Sequence, residues 1–377
     1  VTATFDVIVL GLGAMGSATA YHLAARGAKV LGIDQFDPPH DQGSSHGESR
    51  IIRQVYYEHP LYVPLVQRSF ELWRKLEKDS GAHLLTVTGG LMLGRDTSGL
   101  IQGCVRAANE HSLPIEQIRL SELQERFPQF MPIQGFTALL DPAAGFLAPE
   151  ACIRTHLQQA AKCGATLHTN EEVLKWGPTA GGGVRVQTSR GAYEAGKIVI
   201  AAGPWARELV GAMGPQLVVE RQTVLWFKPP GDREQWAPAN FPIFMCEFDD
   251  GQLVYGFPVQ ERGWKAAVHY EGEHVRDVRS ARRNVEPHDV ARVRNAVARL
   301  FPWVTDAELT HSAVCYYTDT QDLRFVIDFL PGMPQVLISS PCSGHGFKFA
   351  TAIGELQASL ILEGKCDFDV SPFRIDR

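Results

Sequence analysis

Residues 5–34 read FDVIVLGLGAMGSATAYHLAARGAKVLGID, and the organisation of the chain follows from this stretch. Val7-Ile8-Val9-Leu10 is an apolar, largely β-branched run, the pattern of a strand buried on both faces in a parallel sheet. It stops at Gly11, Gly13 and Gly16, in G-x-G-x-x-G spacing. From Ala14 to Ala25 the residues are good helix formers, Gly27 closes the pattern, and Lys29 to Ile33 form a second apolar strand ending at Asp34. In such a strand–helix–strand unit Gly11 makes the tight turn, Gly13 lets a pyrophosphate approach the backbone, and Gly16 lets the helix lie close to the strand. The helix N-terminus then faces the anion. Asp34 stands where a carboxylate accepts hydrogen bonds from ribose hydroxyls, about 20 residues past the glycines. Three glycines alone are a weak signal; strand, glycines, helix, strand and Asp in register point to a dinucleotide site, without separating NAD from FAD.

With 377 residues the chain exceeds the size at which a single core stops growing, so two domains are expected. It is 45% apolar and 21% charged with a formal charge of −6, and no basic block occurs, which argues against a nucleic-acid partner. No apolar run approaches the roughly 18 residues of a membrane span. Asp6 interrupts any apolar signal core, and no basic segment precedes it. The seven cysteines (104, 152, 163, 246, 315, 342, 366) are widely spaced, without a C-x-x-C pair. That suits a reducing, cytoplasmic setting and gives no metal-site layout.

After Asp34 a polar loop, DPPHDQGSSHGESRIIR, lies beside the phosphate end of the first unit and is placed to touch cofactor. Pro60 to Asp79 carries Leu65, Phe70, Trp73 and Leu76 at helical intervals and reads as a long amphipathic helix. Strands are expected over 86–93 and 135–140, with helices near 98–111 and 121–126 between them. A helix from Pro149 through Cys163 and a strand over Ala165 to Thr169 follow. The segment Val184 to Ala201 reads as VRVQT, a turn at Arg190-Gly191, then a second and a third strand running into Gly203. From about Leu217 to Tyr317, long strands such as LVVERQTVLWFK and KAAVHY, with hairpin turns such as Asp250-Gly251, predict a mainly antiparallel sheet. A helix near 287–300 and strands near 310–317, 323–329 and 335–339 precede the loop PCSGHG and a last helix over 347–363.

Seven islands in order, GLGAMG (11–16), SHGESRIIR (45–53), AAGPW (201–205), YGFP (255–258), Lys265 with His269, AVCYYT (313–318) and SGHGFKFA (343–350), give the chain a resemblance over its whole length to the monomeric sarcosine oxidase family of FAD-dependent amine oxidases. The resemblance implies an α/β and α+β fold. A Rossmann-like FAD-binding domain would comprise 1–85, 149–216 and 321–377, and a mainly antiparallel substrate domain 86–148 and 217–320. It also implies a monomer that oxidises a secondary α-amino acid, sarcosine or another N-methyl amino acid first and a cyclic imino acid second, and passes the electrons to O2 to form hydrogen peroxide.

A cysteine in a strand is ordinarily an inert core residue; the resemblance makes Cys315 the thiol bonded to the flavin. Arg53 and Lys348 become the cations that hold a substrate carboxylate, a task suited to the planar guanidinium fork. Lys265 is implied to favour electron transfer to O2 beside the flavin, because a cation stabilises the developing negative charge. His269, Tyr317, Tyr255 and Met245 would line the amine site. Ser45, His46, Arg50, Gly203, Gly344 and Gly346 would contact the flavin, and Arg50 is also carried as a catalytic candidate. The chain departs from the family pattern at Ser45, Glu48-Ser49, Cys342 and the segment RQVYYEHP (53–60) that begins at Arg53, which leaves the accepted amine open. An NAD-dependent dehydrogenase, a silent dinucleotide-binding regulator and a flavin dehydrogenase that avoids O2 are the competing readings.

Overall fold

The computed structural model describes residues 3–377. Strand β1 (Ala3–Leu10), helix α1 (Ala14–Ala25) and strand β2 (Val30–Ile33) form the expected unit. β1 lies between two parallel neighbours, β2 and the strand Ala192–Ile200. Its residues Val7 to Leu10 are fully buried, which is why no polar alternation appears there. The eight-stranded sheet continues past β2 to Thr166–His168. On the other side it continues to the hairpin of Val173–Pro178 with Val184–Thr188 and to Met333–Ser340, which carries Val326–Leu330. Helices α1, Pro149–Lys162 and Ala350–Glu363 pack together against this sheet. A Cβ at Gly354 would lie 2.6 Å from the backbone of Ala18, so the last helix sits directly on α1.

A nine-stranded sheet holds Glu273–Val275, Val218–Phe227, Trp264–His269, Leu253–Gly256, Ile243–Glu247, Gly90–Gly94, Thr137–Asp141 and Glu116–Ile118 in that order, with Leu309–Asp319 paired to Val218–Phe227. All its pairings are antiparallel except Ile243–Glu247 with Gly90–Gly94. One face is filled by interlocked rings, among them Phe130, Phe241, Phe244, Trp264 and Phe301, under the helix Pro287–Ala298. The α/β and α+β class read from the sequence is the class observed.

Several element boundaries differ from expectation. The segment 86–93 is two strands, Leu85–Val87 and Gly90–Gly94, broken at Gly89 with φ 72° because the halves belong to different sheets. Ala192–Ile200 is one strand rather than two. Residues 192–195 pair with the hairpin and 198–200 with Met333–Ser340, so the burial pattern changes midway. Val173–Pro178, Glu116–Ile118 and Glu273–Val275 were not anticipated; the last two are three residues long and too short for periodicity to show. A small sheet of Arg50–Ile52, Gly145–Leu147 and Leu85–Val87 was missed for the same reason. Its strand Leu85–Val87 leads through Gly89 into the nine-stranded sheet, and its strand Arg50–Ile52 carries Arg50 and runs directly into Arg53.

Among the three packed helices, His22 and His156 are buried. Burial pushes His22 down to about 4 and moves His156 the same way, and the His156 Nε2 has no partner. Both rings are therefore neutral in the fold and near 6.5 when unfolded. A proton binds the unfolded chain preferentially, so this stability is complete above about pH 6.5 and is lost as pH falls toward 4. Thermal midpoints measured from pH 7 to 4 are expected to drop across that window, and more shallowly in His156→Phe, whose ring keeps the stack on Tyr21 and the contact with Trp73.

Candidate active site

The chain turns at Gly11 with φ 87°, where a Cβ would stand 2.6 Å from the carbonyl oxygen of Ala201. A Cβ at Gly16 would overlap the Gly11 carbonyl. Gly13 has nothing within 4 Å of its Cβ position, and it opens onto a long cleft enclosing about 1800 Å³, part of it open to solvent. Asp34 lines the same cleft, but its carboxylate already accepts Leu12 N at 2.7 Å and Phe36 N at 2.9 Å. It braces the glycine turn, and each oxygen keeps a lone pair for a ribose hydroxyl. Gly203, at φ 53°, is on the wall where the strand Ala192–Ile200 ends. An open glycine, a bare helix N-terminus and a carboxylate at the tip of the second strand fit an adenine dinucleotide.

Further along, the cleft passes Ser45, Arg50, Cys315, Gly344 and Gly346 and reaches Arg53, Glu58, Met245, Tyr255, His269, Tyr317 and Lys348. One continuous space therefore collects most of the residues singled out in the sequence. Gly16, His46 and Lys265 are not on its wall. Gly16 is covered by the crossing at Gly11, as its packing role requires. Lys265 is 1% exposed, its Nζ donating to Gly47 O at 2.6 Å, Ser49 O at 2.8 Å and Ser49 Oγ at 3.2 Å. Burial pulls this amine down, whereas three acceptors and no donor around it favour the charged form. His46 is buried with an unpartnered Nε2, and burial followed by Arg50 lowers it to about 4.

Cys315 sits in Leu309–Asp319 opposite Gln222, and Tyr317 follows on the same face. Burial raises the Cys315 thiol, opposed by Arg50 and Lys265. Tyr317 OH and His269 Nδ1 are 3.0 Å apart, and burial holds the His269 ring down at about 3. The imidazole is thus neutral and adds no charge to the pocket.

Arg53 is 2% exposed. Its Nη1 donates to Val55 O at 3.0 Å and its Nη2 to both oxygens of Glu58 at 2.8 and 2.6 Å, while its Nε has no partner. Burial pushes the Glu58 carboxyl up, but Arg53, His345 and Lys348 more than offset this and hold it at about 2. Lys348 lies in a 3₁₀ turn, Phe347–Phe349, ahead of the helix Ala350–Glu363 rather than in that helix. Its Nζ donates to His345 O at 2.7 Å, and burial followed by Arg53 brings it to about 7. The Tyr56 hydroxyl meets His345 Nδ1 at 2.6 Å. Sequence reasoning passed over Glu58, Tyr56, His345 and Glu150, which accepts Gly47 N at 2.6 Å. Only the proximity of Glu58 to Arg53, within the divergent RQVYYEHP segment, could have signalled one of them.

The fold and the cleft define a dinucleotide-binding enzyme of two large sheets, and its relatives make it a flavoenzyme of the amine- and amino-acid-oxidising class. A family model described as FAD dependent oxidoreductase (DAO) matches residues 6–360. The monomeric sarcosine oxidase of Streptomyces avermitilis is 41% identical, covering 96% of this chain and 94% of that protein. The N-methyl-L-tryptophan oxidase of Yersinia pestis is 34% identical, covering 99% of each. Among solved structures, NikD, an amino acid oxidase of nikkomycin biosynthesis, aligns with TM-score 0.85 and 24% identity over 99% of this chain and 97% of its own. The L-proline dehydrogenase of P. horikoshii aligns at 0.86 and 22%, over 100% and 98%. These two show the shared fold. The chain belongs to the FAD-dependent oxidoreductase family, within the monomeric sarcosine oxidase group.

Gly344, at φ 72°, faces the Tyr317 ring, which a Cβ would approach to 2.8 Å, with His269 at 3.1 Å. Gly344→Ala should therefore displace Tyr317, at a backbone cost of about 1–3 kcal/mol. The expected outcome is a folded protein with a lower ratio of bound flavin to polypeptide, read from the absorbance spectrum.

Proposed function

We propose that this protein oxidises a secondary α-amino acid, with sarcosine or another N-methyl amino acid as substrate, FAD bound covalently through Cys315, and O2 as acceptor. The observation that carries the reading is the pair of buried cations, Arg53 and Lys348, on one cleft wall together with the neutral His269–Tyr317 pair and the Cys315 strand. The names of the sarcosine and N-methyltryptophan oxidases support it. Held in this cleft, FAD would supply the acceptor for the hydride equivalent from the carbon beside the amine nitrogen, with O2 as the final oxidant, reduced to hydrogen peroxide. The imine product hydrolyses in water.

The chain's own residues have the tasks of binding, orienting and electrostatic support. Gly11, Gly13, Gly16, Asp34 and Gly203 would hold the adenosine diphosphate, and Ser45, His46, Arg50, Gly344 and Gly346 the ring and its chain. Arg53 and Lys348 would take the substrate carboxylate. Both Glu58 oxygens already engage Nη2 and Nη1 is held by Val55 O, leaving only Nε without a partner, so an incoming carboxylate has to displace Glu58 to take two nitrogens of the guanidinium. The uncharged His269, with Tyr317, Tyr255 and Met245, would form a wall that accepts the neutral amine without repelling it. Lys265 acts from behind the Gly47–Ser49 carbonyls, where its charge would favour electron transfer to O2. We place the enzyme in the cytoplasm as a monomer. None of the seven cysteines is paired in a disulfide, and no helix among the described residues is long and apolar enough to cross a membrane.

Peroxide release across a panel of N-methyl and cyclic amino acids tests the activity, and none with any of them would refute it. Acid denaturation should leave the yellow chromophore on a peptide containing Cys315, whereas Cys315→Ala should release it. The pH profile gives a further check. Lys348, at about 7, binds a carboxylate as its protonated form, so kcat/KM should lose its carboxylate contribution as pH rises through 7. Deprotonation of the substrate amine acts in the opposite sense. In Lys348→Arg the fall near pH 7 should disappear, because a guanidinium stays charged.

A further inference from the structure

Asp141 ends the strand Thr137–Asp141 in the nine-stranded sheet, opposite Gly90 and 2% exposed. Its hydrogen-bond partners are all backbone amides. Oδ2 accepts Gln54 N at 2.9 Å and Val55 N at 3.1 Å, and Oδ1 accepts Ala143 N at 2.9 Å. A carboxylate buried this deeply costs several kcal/mol unless its surroundings compensate. Two of these three amides belong to the residues that follow Arg53.

The same two residues carry the other half of the arrangement. The carbonyl of Val55 receives Arg53 Nη1 at 3.0 Å. Asp141 therefore holds the N–H of Val55, and the carbonyl of that same residue, in the next peptide unit, holds the guanidinium. Two residues on, the helix Gly99–His111 closes against the chain, and a Cβ at Gly103 would overlap the Tyr57 carbonyl oxygen. The backbone at 54, 55 and 57 is clamped from the substrate-domain side. The Glu58 carboxylate, by contrast, is hydrogen-bonded to Arg53 alone.

We propose that Asp141 is the positioning residue of the carboxylate site, holding the Gln54–Val55 backbone so that Arg53 keeps its aim while Glu58 gives way to a bound carboxylate. This rests on the reading that Arg53 receives the substrate carboxylate, and it adds a residue outside the cleft wall, from a different sheet, to that recognition. Without the charge at 141 the two amides lose their ionic acceptor, the loop relaxes, and the guanidinium loses its alignment. Chemistry on an amine lacking a carboxylate is unaffected.

The test uses the flavin-loaded full-length Asp141→Asn and Asp141→Glu variants. The first keeps the volume without the charge and the second keeps the charge on a longer arm. Binding of propionate is read from the perturbation of the flavin spectrum. Anaerobic flavin bleaching is followed with an N-methyl amino acid and with its methyl ester. Misaligning one hydrogen bond to a charged group costs roughly 10- to 100-fold in binding, so propionate Kd and the amino-acid KM should rise by about that factor in Asp141→Asn. The limiting bleaching rate and the behaviour toward the ester should stay near wild type, with Asp141→Glu intermediate. Equal losses for acid and ester, or an unchanged propionate Kd, would overturn the proposal. If Asp141→Asn does not fold, the same ratios in Asp141→Glu decide it. Wild-type protein that neither binds propionate nor bleaches with any amino acid refutes the underlying reading instead, a result visible before any variant is made.

Discussion

The structure depends on a backbone crossing at Gly11. β1 ends there against Ala201, the strand Ala192–Ile200 passes within a Cβ's reach, and α1 starts over the same point through Gly16. Side chains at these positions would separate the three elements. With hydrogen in their place, the helix N-terminus opens onto the cleft and its amides become an anion site. The Asp34 carboxylate locks the turn from the far strand by accepting Leu12 N, so the carboxylate proposed to meet a ribose also maintains the bend.

From that end the cleft grades from backbone recognition to buried charge. Arg53, Lys265 and Lys348 are each within a few per cent of complete burial. Charge in such a place is costly, and each cation is compensated differently. Arg53 has a carboxylate, Lys265 has carbonyls, and Lys348 has a single carbonyl and is brought down to about 7. The imidazoles are treated in the opposite sense. Burial drives His269 and His345 to about 3 and 4, leaving them as neutral hydrogen-bonding groups at ordinary pH. The pocket thus sets two buried cations and a carboxylate at one corner beside uncharged imidazoles.

Much of this was legible in the sequence. The first strand–helix–strand unit reads directly because each part leaves a local mark: a continuous apolar run, glycines at fixed offsets, an acid at the tip. The antiparallel sheet announced itself by long strands and tight turns. What escaped reading was short or jointly owned: the three-residue strands of the small sheet, the divided strand at 85–94, and the Ala192–Ile200 strand with two sets of partners. None of these has a periodicity of its own, because partners far along the chain decide them.

The sequence by itself determined that a dinucleotide fold is present and which residue types stand ready for chemistry, since local sterics and hydrophobic period act over a few residues. Only the tertiary structure decided how their charges are matched. Glu58 is five residues from Arg53, Asp141 lies 87 residues from Gln54, and Lys265 reaches the Gly47 carbonyl across 218. Electrostatic energy depends on distance in space and on exclusion of water, and neither quantity is written along the chain.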